Sequence, residues 1–241
     1  QVNALTTDVV SSLSTARLSS LDEDQIQAFS ANQVQSLNST QLNSLSESKL
    51  KALSTSGVAA LGTSKIQALT TTSVSLLAST QIAALTTAQV QSLQTAQIQS
   101  LTTAQITGLT VSGLSTAQAQ ALSSTQLGQL STTQAASFNA AALGSLSTGQ
   151  LAGLTTTQIG ALTAAQFPAL GTLQITAIEH TDIPSITTAA LAAFTSDQIA
   201  ALTASQVSNL TTDQLRAITT GQISALGTED INVLTSRQVG A

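Results

Sequence analysis

An apolar side chain returns at every eighth residue along nearly the whole chain, and eight is a period that neither a long helix nor a plain strand can use. Leu85, Leu93, Leu101 and Leu109 form one such series, and Ile82, Val90, Ile98 and Ile106 form another. We number the octad so that Leu101-Thr102-Thr103-Ala104-Gln105-Ile106-Thr107-Gly108 runs from position one to position eight. Position one is Leu in most copies, with Phe29, Phe138, Ile178, Ile186, Phe194 and Ile218 as substitutes. Position six is apolar throughout, shrinking only at Ala119 and Ala135. In a continuous helix an eight-residue unit drifts by about 80° per copy, so no apolar stripe persists. In a strand, positions one and six have opposite parity and face inward together only with a bulge in every copy.

Position two supplies the alternative. It holds Ser or Thr in most octads, as at Ser30, Thr86, Thr102, Thr155 and Thr219, with Asp22, Asn38, Asn139, Gly62, Gly171 and Gly227 as replacements. These residue types open helices, because a short side-chain oxygen accepts a bond from an orphan backbone N–H. Three residues later stands Gln, as at Gln33, Gln89, Gln105, Gln158, Gln206 and Gln222. Ser/Thr-x-x-Gln is a capping box, and the apolar residues at positions one and six occupy the two places of a hydrophobic staple. Each octad therefore starts a helix that the next octad stops. The pattern predicts an all-α solenoid of very short helices, with a β-solenoid as the alternative because Thr, Val and Ile favour strands. Small residues at positions four and eight, such as Ala84, Ala88, Ser100 and Ala104, are expected to let coils approach closely. Pro168 and Pro184 fall at position seven, where the helix is expected to be ending. The number of octads per turn does not follow from the pattern.

One register runs from Leu5 to Leu109 and a second from Leu114 to Leu234. Between them, Leu109-Thr110-Val111-Ser112-Gly113 is a unit three residues short. We read residues 1–241 as a single repeat array with a register shift at 109–114. Gln1-Val2-Asn3-Ala4 and Gln238-Val239-Gly240-Ala241 both occupy positions five to eight, without the polar capping units that close natural solenoids. The expectation is an excerpt of a longer array or an open-ended filament subunit that joins end to end through Val2 and Leu5 at one end and Leu234 and Val239 at the other.

Composition narrows the function. Charged residues make up 7% of the chain, the net charge is -5, and the six basic residues are too few to track a phosphate backbone. No apolar run is long enough to span a membrane. Cys is absent and there is one His, which excludes a Cys–His pair and a multi-histidine metal site. That histidine lies in Glu179-His180-Thr181-Asp182-Ile183-Pro184, the most divergent unit, which reads as a decorated corner, with a metal or acid–base site as the alternative. Asp22-Glu23-Asp24 and Glu229-Asp230 lie where a helix dipole favours acids, and their spacing is not that of a calcium loop. Asn38-Ser39-Thr40 and Asn209-Leu210-Thr211 match the glycosylation sequon. The expectation is no catalytic residue, no cofactor, no metal and no enzyme activity.

Leu85-Thr86-Thr87-Ala88-Gln89-Val90-Gln91-Ser92 and its copies resemble the Leu-Thr-Thr-Ala-Gln-Ile-type repeats of large bacterial surface proteins, often labelled adhesin-like or haem-utilisation proteins. The resemblance implies export to the bacterial cell surface and a role as spacer, stalk or filament, and it carries over no catalytic residues. The leading expectation is thus a structural extracellular repeat, a filament subunit or adhesin stalk that associates with itself and not with nucleic acid. The alternative is a binding module that uses a repetitive Ser/Thr/Gln face, against ice for example.

Overall fold

The computed structural model describes residues 2–240, and among them the backbone is helix, turn and extended linker with no strand. The expected all-α solenoid is what forms, and the β-solenoid is not. An octad contributes a helix of four to six residues, as in Thr103–Ile106, Glu23–Gln27 and Thr87–Ser92. The cap residue is extended, with φ -72 and ψ 160 at Thr102, and so is the position-one residue just before it, with φ -62 and ψ 131 at Leu101. Two extended residues in succession turn the chain into the next helix. No described residue needs a positive φ to do this.

The chain divides into two compact units, Gln1–Gly113 and Leu114–Ala241, and the division falls at the register shift. Within the first unit, helix Ala31–Ser36 packs between Thr7–Ser12 and Thr55–Ala60, and Thr63–Ala68 packs on Thr87–Ser92. Within the second, Thr132–Ser137 packs on Thr156–Ala161 and Thr188–Ala192 on Thr212–Ala217. In each pair the partners are three octads apart. Within each unit three octads therefore complete one turn of the solenoid, and these helices rest on the helix one turn earlier.

The interior of each unit is built from positions one and six. Ile82, Val90, Ile98 and Ile106 are 0% exposed, and Leu85, Leu93 and Leu101 are 4% exposed. Position six is thus the deeper of the two anchors. In the shortened unit Val111 takes that place and is buried in a 3-10 turn, Val111–Gly113. Where larger rings enter the core they meet: the Phe167 and Phe194 centroids are 4.9 Å apart.

Two local expectations need correction. Position eight does mediate close approach: a Cβ on Gly108 would lie 2.6 Å from the Ser79 carbonyl oxygen, and one on Gly153 would lie 2.6 Å from the Ser124 Cβ. Position four does not, since Ala88 and Ala104 are exposed. The prolines also matter more than expected. Position seven is still helical in most other octads, and a proline there has no N–H for the helical bond. The Pro168 and Pro184 octads accordingly lose their α-helix and keep only the 3-10 turns Phe167–Ala169 and Ile183–Ser185.

Candidate functional site

The recurring polar feature of the fold is the glutamine at position five, and it does more than close a capping box. At Thr102 the capping box forms as expected: the Gln105 N–H donates to Thr102 Oγ1 at 3.3 Å, and the Thr102 N–H donates to Gln105 Oε1 at 2.8 Å. The other end of the same amide reaches the coil beneath. Gln105 Nε2 donates to the Val74 carbonyl at 2.8 Å and to the Leu77 carbonyl at 2.7 Å, 31 and 28 residues earlier. Those two carbonyls flank the corner where one octad ends and the next begins. Gln89 does the same to Val58 and Leu61, Gln158 to Leu127 and Leu130, and Gln206 to Ile175 and Ile178.

Each such glutamine is a rung between successive coils, with its Oε1 and both Nε2 hydrogens engaged. The rungs are inside: Gln81, Gln89, Gln97, Gln105 and Gln206 are all buried. Burying an amide is tolerable only when its donors and acceptors are matched. That condition is met, since no buried side-chain nitrogen or oxygen among the described residues lacks a partner. The repetitive face pictured as Ser/Thr/Gln therefore loses its position-five glutamines to the interior.

Other residues at position five show what the rung requires. Lys49 and Lys65 replace Gln, and their ammonium groups donate to the Ser19 and Gln35 carbonyls of the coil beneath. Asp230 keeps only the capping half, its Oδ2 accepting the Gly227 N–H at 3.0 Å. Donor capacity toward the preceding coil is the shared property of Gln and Lys.

The residues singled out in the sequence are scattered along the chain. Asp22 is a helix cap, accepting the Gln25 N–H at 2.8 Å, and Glu23 and Asp24 follow it in the first turn. The Asn38 side chain is also a cap, taking the Gln41 N–H at 2.9 Å. Asn209 donates its Nδ2, the atom that would carry a glycan, to the Ser205 carbonyl at 2.8 Å. Glu179 and His180 are exposed, as a decorated corner implies. Asp182 is not part of that decoration: it is buried and accepts the Thr156 hydroxyl at 2.6 Å.

A family model for the ALTTAQ repeat matches residues 74–111, 136–172, 175–212 and 210–241, together more than half of the chain. The chain belongs to the ALTTAQ repeat family. Its six letters are spelled here by Ala84-Leu85-Thr86-Thr87-Ala88-Gln89, that is, by position eight followed by positions one to five. Each letter of the ALTTAQ repeat now has a physical task. Ala packs closely on a neighbouring coil, Leu fills the core, the first Thr caps, and Gln makes the rung. The second Thr and second Ala lie exposed on the first turn of the helix. No curated protein matches the sequence. Among the described residues, no helix is long and apolar enough to cross a membrane.

Proposed function

We propose that this ALTTAQ array is a non-catalytic, length-giving structural element, serving as the stalk or filament shaft of an extracellular bacterial surface protein. The observation that carries this reading is the rung. Each rung makes two carbonyl contacts to the coil beneath, and its own octad can receive the same from the coil above, so the interaction sets no limit on the number of coils. A fold whose recurring interior polar contact joins like to like suits extension. Surface chemistry supports the same reading. The outer positions are mainly Ser, Thr, Ala and Gln, and the two ion pairs among the described residues, Lys51–Glu47 and Arg216–Asp213, are exposed and contribute little. Export and self-association belong to this proposal as the setting in which such an element works.

The test is a length series. Variants carrying one, two or three additional 24-residue turns, each a copy of Leu77–Ser100, should appear in negative-stain micrographs with a contour that grows by a constant increment. Sedimentation would then show whether single particles or fibres form, which separates stalk from filament. Contours that do not change with added turns would overturn the proposal.

A further inference from the structure

Residue 182 breaks the donor rule of position five. Asp182 is 5% exposed and, as a carboxylate, can only accept. The rungs one turn earlier and one turn later are regular: Gln158 donates to Leu127 and Leu130, and Gln206 to Ile175 and Ile178, in each case 31 and 28 residues earlier. The same offsets place the Leu151 and Leu154 carbonyls beneath residue 182. Asp182 does not turn back to its own cap, as Asp230 does. Its Oδ1 instead reaches the preceding coil and accepts the Thr156 hydroxyl at 2.6 Å. A buried carboxylate thus stands where the regular offsets bring two carbonyls, with which it can share no hydrogen. Among the described residues no ion pair reaches it, and residues 114–241 contain no lysine.

We propose that this rung is a hard-cation site, in which a metal ion replaces the missing amide donor. Its ligands would be the Asp182 carboxylate, the Thr156 hydroxyl oxygen and the carbonyl oxygens of Leu151 and Leu154, an all-oxygen set suited to sodium or calcium. Each carbonyl can serve a cation and still accept a backbone N–H, as Leu127 accepts from both Leu130 and Gln158. A single carboxylate implies weak binding, of the order found in extracellular calcium modules (about millimolar).

The experiment uses the whole chain in sodium, calcium or N-methylglucamine chloride at one ionic strength, the last being too large to enter. Hydrogen exchange of segments 151–158 and 179–186 is the local readout, with the melting temperature alongside. Sodium or calcium should slow exchange in both segments and raise the melting temperature by about 2–4 °C, and whichever acts names the ion. Asp182→Gln, which restores an ordinary rung, should be equally protected in all three salts. Thr156→Val should move the half-saturating concentration up by about tenfold. Identical exchange of the parent protein in the three salts would overturn the proposal, as would a cation response that survives in Asp182→Gln.

Discussion

A capping box is served equally well by Glu and by Gln, and Glu would also suit the positive end of a helix. This chain nevertheless uses Gln at position five in most octads and never Glu, and two of its departures from Gln are Lys49 and Lys65. That choice is intelligible only because Nε2 and the lysine ammonium both donate to carbonyls a full turn earlier. The capping half of the residue was legible in the sequence because it is local, reaching three residues back. The rung half was signalled only by the preference for a donor over an acid, and its target lies 28 to 31 residues away. The cap hydroxyl makes a sharper local prediction. Thr102→Ala should cost about 1 kcal/mol in a denaturant titration, since it removes the hydroxyl that accepts the Gln105 N–H. Thr103→Ala, one residue later and exposed, should cost much less.

Helices of four to six residues are far below the length that is stable alone, so their stability comes from packing. Leu93→Ala and Ile98→Ala should each cost roughly 2–5 kcal/mol by urea titration, because both side chains sit in a closed interior. A mutant that melts like the parent would remove that position from the core. Position five offers a test in the stabilising direction. Ala190 is buried where a rung would stand, above the Ile159 and Leu162 corner by the regular offsets. Ala190→Gln should stabilise by about 1 kcal/mol, the net value of a satisfied hydrogen bond. Gly57→Gln should not, since a Cβ at residue 57 would lie 2.8 Å from Val34 Cγ2. The start and stop of each helix were legible because caps and extended corners are set by adjacent residues. The 3-10 form of the two proline octads was not, because it depends on how far the helix would otherwise have run.

At the scale of the whole molecule, the octad and not the turn is the unit of repetition. Every octad presents the same positions to the coil beneath, so stacking depends on register modulo eight. Removing Leu93–Ser100 should leave the helical far-UV signal per residue unchanged, whereas removing Gln97–Ser100 alone should lower it. The number of octads per turn could not be read from the sequence, because identical octads fit one another in any column; only the packing of each helix on the one three octads earlier reveals it. Array stability in such proteins resides largely in the contacts between neighbours, and here the rung is the polar part of that contact. The most direct measurement is the urea midpoint of Gln105→Glu at pH 7, with Gln67→Glu at an exposed position seven as its control. Glu keeps the capping acceptor but buries a carboxylate against the Val74 and Leu77 carbonyls. The account predicts a loss of about 3–5 kcal/mol at residue 105, shrinking at low pH where the protonated acid can donate again, and a change within about 0.5 kcal/mol at residue 67. Equal, small effects at both positions would contradict it.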